Sequence, residues 1–475
     1  QCPTLTDKSR LTFFRLKALP KDGKDGATRD NFMENNNEKS GLKIGVISLG
    51  CDKNRVDTEK MLAKIKEKHE ITGDIEKADI IIVNTCAFLS SSRKESVEEI
   101  LSAAEYKKSG SAKKLIVTGC LPQKFLKETE KGFPEADAFL GVSDYDKIND
   151  VIDRITDGER VSEVGTPRGE CGTKRLLTTD GYAYLKIADG CDNHCTYCLI
   201  PKIRGKYRSV PVEDLLEETK KLGEVNELIL VAQDVAAYGK DLFPRVTLTE
   251  LIRKLSALPN VKGIRLLYCY PENVTDELIH EMAVNAKVIR YIDVPLQHAS
   301  GSVLKRMNRK GTGAEYLALI EKLRREVSGI AIRSTFITGF PAESEEDFDA
   351  LVGFLEKAKL DAAGFFKYSR EKDTPADKMD GHLKESVKTA RLKKLYSVQK
   401  KIVKENNKKL VGKTFNVLAE GFDENALVYY GRAYFNAPDV DGKIYFFSDS
   451  EAEYGKYLRV KITKATGYDL YGERV

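Results

Sequence analysis

From residue 43 onward the chain carries three successive hydrophobic patterns. Residues 43–49 (KIGVISL), 79–85 (DIIIVNT) and 114–119 (KLIVTG) are near-continuous apolar runs rich in β-branched residues. Between them, 57–70 has helical spacing with Met61, Leu62 and Ile65 on one side, and 90–106 repeats that spacing behind a run of capping serines. Apolar strands alternating with helices predict a parallel, helix-covered sheet. A second series of runs lies at 182–188, 227–232, 263–268, 288–294, 330–337 and 362–368, separated by helical patterns such as 211–222, 247–258 and 343–357. Six β/α units predict a partial (β/α)6 barrel whose site lies at the carboxyl ends of its strands. The last region has five short strand patterns, at 414–419, 426–435, 443–447, 456–464 and 469–475. These predict a small closed β-barrel akin to OB folds. The expected fold class is therefore α/β with a small terminal β-barrel.

These patterns divide the chain into an α/β domain at 42–165, a Gly/Thr/Lys-rich linker at 166–180, the partial barrel at 181–383, a basic helix at 384–413 and the small barrel at 414–475. Residues 1–41 are polar and unpatterned apart from a short apolar patch at 11–19 that Arg15 and Lys17 interrupt. They are expected to be a disordered leader or extension, and Cys2 is left out of the chemistry.

Composition narrows the class. The 475 residues are 41% hydrophobic and 32% charged, the balance of a soluble globular protein. No stretch approaches the roughly 20 apolar residues of a membrane span, so no membrane partner is expected. Totals of 78 basic and 73 acidic residues leave only +5 over the whole length, which does not announce a nucleic-acid binder. Locally the balance differs. Residues 384–413 hold eleven Lys/Arg against Glu385 and Glu405, either a solvated helix face or a contact for RNA. Residues 414–475 hold seven basic against ten acidic residues, which suits a basic protein better than a phosphate backbone.

Nine cysteines in so long a chain are too few for a secreted disulfide scaffold. They point to reduced thiols in the cytoplasm serving metal or redox chemistry. Each of the first three strands ends in a small residue followed at once by cysteine, in SLGC51, VNTC86 and VTGC120, with separations of 35 and 34 residues. The carboxyl ends of a parallel sheet share one edge, so Cys51, Cys86 and Cys120 should meet in space. Taken singly, each reads as a small buried strand-end residue. Zinc usually takes a fourth ligand, and none is evident; an iron–sulfur cluster with one open iron fits three thiolates better. A second trio, Cys191, Cys195 and Cys198, crowds into one loop as CxxxCxxC. A zinc site of three cysteines with His194 is the alternative there, although His194 directly beside Cys195 is awkward for closing a tetrahedron.

The CxxxCxxC loop, with aromatic Tyr197 before its last cysteine, resembles the signature of the radical S-adenosylmethionine (SAM) superfamily. That resemblance implies a four-iron, four-sulfur cluster on the three cysteines, SAM on its fourth iron, and reductive cleavage of SAM to a deoxyadenosyl radical. Polar residues at the strand ends then become candidate contacts: Tyr197, Gln233, Arg333, Thr335 and Gly339 for SAM, and Gln297 and His298 for substrate. Individually such residues also serve as loop caps or solvated groups.

Two cysteine trios, a radical-SAM barrel and a small terminal barrel, in that order, resemble the methylthiotransferase family. The likeness spans residues 42–475 and is carried by SLGCDKNRVDTE (48–59), NTCAFL (84–89), GCLPQ (119–123), LKIADGCDNHCTYCLIPKIRGKYRS (185–209), AQDVAAYG (232–239), VPLQHAS (294–300) and GRAYFNAPDVDG (431–442). The wording is closest to the RimO branch, although Asp52 stands where proline is expected. The terminal barrel resembles TRAM. The resemblance implies two 4Fe–4S clusters, the second on Cys51, Cys86 and Cys120 to deliver sulfur, and SAM as both methyl donor and radical source. It further implies β-methylthiolation of an aspartate in protein twelve of the small ribosomal subunit, free or in the subunit. An electron donor such as flavodoxin or ferredoxin is implied, while no sulfur donor is named. Two other readings are a tRNA adenosine methylthiotransferase of the MiaB kind and a non-enzymatic iron–sulfur RNA-binding module. The acidic barrel and the 431–442 segment argue against the first, and two complete trios against the second. Cys171 and Cys269 read as structural or incidental.

Overall fold

Apolar strands buried on both faces pair in parallel when helices return the chain between them. The computed structural model describes residues 14–15, 41–168 and 174–475. It divides into two compact units, 1–178 with 202–204, and 179–201 with 205–475. Cys2, Cys171, Met33 and most of the 11–19 patch lie outside the described residues.

In the first unit, the strands Lys43–Ser48, Ile80–Thr85 and Lys114–Gly119 pair in parallel and in that order. Ile44, Val46, Ile80, Ile82 and Ile116 form one buried core with Met61, Leu62 and Ile65. Three short strands were not legible as patterns: Glu70–Thr72, Ala138–Leu140 and Val161–Glu163 all join the sheet in parallel. Three residues are too few to display a period. Residues 1–41 are also not wholly outside the fold, because Phe14–Arg15 pair antiparallel with Ile47 and Ser48. The backbone of a sheet edge is free to accept such a segment.

The first helix is Asp52–Ile65, five residues earlier than its apolar spacing suggests. Cys51 is its extended N-cap and Asp52 supplies a carboxylate to its first turn, which the helix dipole favours. Its opening residues are polar yet buried. Asn54 donates to the Leu49 and Thr85 carbonyls at 3.1 and 2.9 Å, and Thr58 shares a 2.8 Å hydrogen bond with Ser48. Polar groups are tolerated inside a protein when they are paired in this way.

In the second unit, the strands Tyr182–Lys186, Glu227–Val231, Ile264–Leu266, Val288–Asp293, Ala331–Thr338 and Ala362–Lys367 form one parallel six-stranded sheet in chain order. Helices such as Val212–Lys221, Leu248–Ser256 and Glu345–Ala358 return the chain between strands. Five further strands, Thr414–Asp423, Val428–Arg432, Ile444–Phe447, Tyr457–Thr466 and Asp469–Arg474, close into a barrel around Val417, Ile444, Phe446, Val460 and Ile462. This is the predicted α/β architecture with its small β-barrel. No described helix is long and apolar enough to cross a membrane.

A buried charge cluster ties the small barrel to the six-stranded sheet within this unit. Glu227 accepts from both Arg265 and Arg432, and Arg432 reaches Glu420 at 2.6 Å. Arg265 also donates to the Tyr434 carbonyl at 2.8 Å and lies 4.5 Å over the Tyr291 ring. Burial by itself would raise the Glu227 carboxyl, but the two guanidinium groups overcome it and hold it below the ordinary glutamate range.

Glu227→Gln should therefore be costly, because removing one partner of a buried ion pair loses about 3–5 kcal/mol. The urea midpoint of this unit should fall accordingly. A depressed carboxylate contributes its full stability above the ordinary glutamate pKa and loses it as pH falls through the folded value. Parent protein should then lose more stability than E227Q on acidification below about pH 4.3. Equal acid losses in the two proteins would contradict the assigned role.

Candidate active site

The first thiol trio is built by chain direction and glycine. Cys51 caps helix Asp52–Ile65, Cys86 follows strand Ile80–Thr85, and Cys120 opens helix Cys120–Gly132. All three leave the same edge of one parallel sheet. Gly50 has φ +93°, and a Cβ there would lie 2.8 Å from Cys86 Cβ and 3.1 Å from its sulfur. Gly119, at φ +96°, would drive a Cβ to 2.3 Å from Asn84 Oδ1. The small residue before two of these cysteines is thus a steric requirement of bringing the strand ends together.

Hydrogen bonds fix the surroundings. Ser96 Oγ receives the Cys86 N–H at 3.0 Å and donates to its carbonyl at 2.8 Å. Thr85 Oγ1 donates to the Thr118 carbonyl at 2.6 Å, and Cys120 Sγ lies 3.7 Å from Asn54 Oδ1. Burial pushes the Cys86 thiol up to about 12, and the neighbouring Cys120 and Cys51 add to the effect. Cys120 is raised chiefly by burial, against the pull of Arg204, which belongs to this unit. Cys51 is exposed. Two sheltered thiols and one open one thus face a common edge.

The second trio lies in the loop after the first strand of the six-stranded sheet. Gly190, at φ +82°, passes so close to the backbone that a Cβ would meet the Lys206 carbonyl oxygen at 2.0 Å. The Cys191 N–H donates to the Gly205 carbonyl at 3.1 Å, and that of Cys198 to the Cys195 carbonyl at 3.0 Å. Thr196 pins the loop by donating through its N–H to the Met307 carbonyl at 3.1 Å and through its hydroxyl to the Arg306 carbonyl at 2.8 Å. Burial raises Cys191 to about 11 and Cys198 to about 12. Without metal these are neutral thiols near pH 7, so metal loading must displace protons.

Each trio offers three cysteine sulfurs, the donor set that iron–sulfur clusters take. All six thiols are free. Among the described residues, no three or more His, Cys, Asp or Glu side chains are grouped to hold one metal ion. His194 is exposed with φ +48°, a poor fourth ligand for zinc.

A cavity of about 600 Å³ opens beside the second trio, lined by Asn193, Asp234, Tyr270, Glu272, Asn273 and Arg309 among others. That volume accommodates a cofactor-sized ligand. Asp234 is buried and its carboxyl is raised by burial, while Asn273 Nδ2 and Asn193 Nδ2 donate to it at 2.7 and 3.3 Å. The Tyr270 hydroxyl lies 2.9 Å from Cys195 Sγ, and the Arg309 guanidinium stacks 3.6 Å over the Tyr270 ring. No sequence pattern singles out Tyr270, Asn273 or Arg309. Tyr270 is an aromatic residue just past a strand end, and Arg309 is one basic residue within a basic run.

The expected site residues divide by what they already touch. Gln233 donates to Asp189 at 2.8 Å, while its Oε1 is enclosed with no partner, an acceptor that a ligand's amino group would complete. Tyr197 packs edge-on against Phe340. Gly339, at φ +76°, donates its N–H to Glu343 at 2.7 Å, and Phe340 donates to the same carboxylate at 3.1 Å. Arg333 is committed to Asp293 at 3.0 Å and Asp441 at 3.3 Å, with Thr335 Oγ1 accepting from it at 3.3 Å. Gln297, at φ +71°, receives the Ile337 N–H at its carbonyl and donates its own to Thr335, both at 2.8 Å. His298 is fully enclosed, with Nδ1 accepting the Ser300 N–H at 3.0 Å and Nε2 lying 3.6 Å from Glu343.

Comparison with known proteins adds to this geometry. Residues 43–141 match a family described as Uncharacterized protein family UPF0004, 185–355 the Radical SAM superfamily, and 411–475 the TRAM domain. Proteins called ribosomal protein uS12 methylthiotransferase RimO are similar over nearly their full length. The one from Lachnoclostridium phytofermentans is 47% identical, covering 91% of this chain and 99% of its own. Those of Clostridium botulinum and Clostridium kluyveri are also 47% identical, over 90% and 91% of this chain and 97% and 98% of theirs. Among solved structures, the radical S-adenosylmethionine methyltransferase TsrM from Kitasatospora setae shares the fold, with TM-score 0.54 at 16% identity over 71% of this chain and 77% of that one. On the full-length similarity, this chain belongs to the RimO family of ribosomal protein uS12 methylthiotransferases.

Proposed function

We propose that this chain is a radical SAM methylthiotransferase that attaches a methylthio group to the β-carbon of an aspartate in ribosomal protein uS12. The observation that carries the reading is the 47% identity to a uS12 methylthiotransferase across 91% of this chain. Cys191, Cys195 and Cys198 are assigned to one four-iron cluster, and Cys51, Cys86 and Cys120 to a second. When bound, the two clusters and SAM supply the electron transfer, radical, sulfur and methyl group that no side chain offers. A radical route suits this carbon, whose C–H bond beside an ionised carboxylate is too weakly acidic for an ordinary general base.

The chain's own residues then bind and orient. With Cys195 serving as a ligand, the Tyr270 hydroxyl, 2.9 Å from its sulfur, would donate to it and fix its direction, as outer partners of metal ligands do. The Arg309 charge over Tyr270 offsets negative charge gathered on the loop. Asn193 and Asn273 hold Asp234 at the cavity wall. Gln233 Oε1 offers its unfilled acceptor, and Glu343 keeps the Gly339–Phe340 turn rigid through two backbone N–H groups. An external one-electron donor of the flavodoxin or ferredoxin class feeds the reaction, in the cytoplasm where ribosomes are found. A tRNA substrate fits less well, because the terminal 414–475 barrel carries seven basic against ten acidic residues.

Mass spectrometry of small-subunit proteins from cells with and without the gene tests substrate and reaction together. One methylthio group on a uS12 aspartate should be present only with the gene; an unmodified uS12 alongside a gene-dependent tRNA methylthiolation would transfer the reading to tRNA. Anaerobic reconstitution should load about eight irons per chain, four for each cluster, and a plateau near four would remove one trio from the scheme. Cys191→Ala should abolish SAM cleavage under reducing conditions. Cys86→Ala should leave deoxyadenosine formation intact and stop sulfur insertion; a folded C86A protein that has lost both activities would break this division of labour.

A further inference from the structure

The helix Glu385–Lys408 runs for 24 residues, about 36 Å at 1.5 Å per residue. Its inward side carries Leu395, Val398, Ile402 and Val403, together with Lys388, Arg391 and Gln399. These polar residues are spent internally. Arg391 pairs with Glu343 at 2.7 Å and Glu345 at 2.8 Å, Lys388 donates to the Tyr368 carbonyl at 3.1 Å, and Gln399 donates to the Leu360 carbonyl at 2.9 Å. The opposite side is different. At about 100° per residue, Lys393, Lys394, Lys400, Lys401, Lys404 and Lys408 fall within one stripe facing away from Leu395 and Ile402.

All six lysines are exposed, and among the described residues none of them forms an ion pair. Like charges three and four residues apart repel and weaken a helix, so the stripe works against the element that carries it. Only Glu405 interrupts the sign. From Lys393 to Lys408 the row covers about 22 Å, long enough to follow several successive phosphates. A basic helix could also serve an anionic membrane, but that mode needs a free apolar face. Here the apolar face is buried within the protein's own fold.

We propose that this lysine stripe is an RNA-docking surface, made to lie along the phosphate backbone of ribosomal RNA. The choice of ribosomal RNA as the polyanion rests on the function proposed above; the polyanion contact itself rests on the stripe. A substrate presented by a ribosomal particle combines a protein to be modified with surrounding RNA. The stripe accordingly contributes affinity for the particle without taking part in the chemistry.

Salt titration of binding tests this, using reconstituted enzyme with purified small subunits, protein-free small-subunit ribosomal RNA, and anionic phospholipid vesicles as probes. The variant K393Q/K394Q/K400Q/K401Q removes four charges from the stripe, and K220Q/K221Q/K254Q/K262Q removes four exposed lysines elsewhere in the same unit. Each phosphate contact contributes about 0.7–0.9 to the slope of log K against log salt. The stripe variant should therefore show a slope shallower by about three and RNA affinity at least tenfold weaker at low salt, while the control variant changes little. Cleavage of SAM should be the same in all three proteins. Equal losses in both variants would reduce the effect to net charge, and no loss in the stripe variant, or vesicle binding as tight as RNA binding, would overturn the proposal. A charge-preserving K393R/K394R/K400R/K401R variant should bind like the parent, which separates lost charge from a damaged helix. Intact RNA binding by an enzyme that leaves uS12 unmodified would sink the proposed reaction while sparing this surface.

Discussion

The direction of strands in a parallel sheet is the constraint on which this molecule depends. When every strand runs the same way, each carboxyl end opens on one edge, and residues dozens of positions apart become neighbours without any long-range motif to signal it. Cys51, Cys86 and Cys120 exploit this once, each leaving a different strand of the first sheet. The second sheet exploits it again. Its strand ends bring Gln233, Asp234 and Tyr270 towards the loop that bears the CxxxCxxC trio. Close approach of the strand ends leaves no room for a side chain at Gly50 and Gly119, and the loop backbone at Lys206 leaves none at Gly190, so the glycines before the cysteines are steric requirements of the two sites.

Placing thiols and carboxylates at buried strand ends has an electrostatic consequence that the surrounding polar residues manage. Burial raises Cys86 and Cys198 to about 12 and lifts the Asp234 carboxyl, while Asn193 and Asn273 donate to Asp234 and Ser96 donates to the Cys86 carbonyl and accepts its N–H. Elsewhere in the second unit the same low dielectric makes Glu227 and its two arginines interdependent. Such a cluster tolerates loss of one member poorly, which binds the small barrel firmly to the six-stranded sheet.

Much of this architecture is legible in the chain because long elements display their period. The three apolar runs of the first sheet, the six of the second and the five strands of the small barrel are all present. Three-residue strands such as Ala138–Leu140 carry no such signal, since their existence depends on a neighbour offering backbone partners. The early start of helix Asp52–Ile65 was hidden for another reason. Asn54, Asp57, Thr58 and Glu59 are buried through hydrogen bonds and ion pairs to distant segments, so the helix's inward face does not read as apolar. At the site, the cysteine trios stand out by residue type and spacing. Arg309 and Asn273 do not, because only the fold carries them to the cavity wall.

By itself, the sequence determined which residues alternate, which elements they form and which thiols come in threes, since period and spacing are local properties of the chain. Tertiary structure decided the rest: which polar side chains are already occupied, as Arg333 is by Asp293 and Asp441, which acceptor is left unfilled, as on Gln233, and which lysines of the long helix face outward. These properties depend on distances between segments remote along the chain, and such distances exist only once the sheets have formed and their strand ends have met.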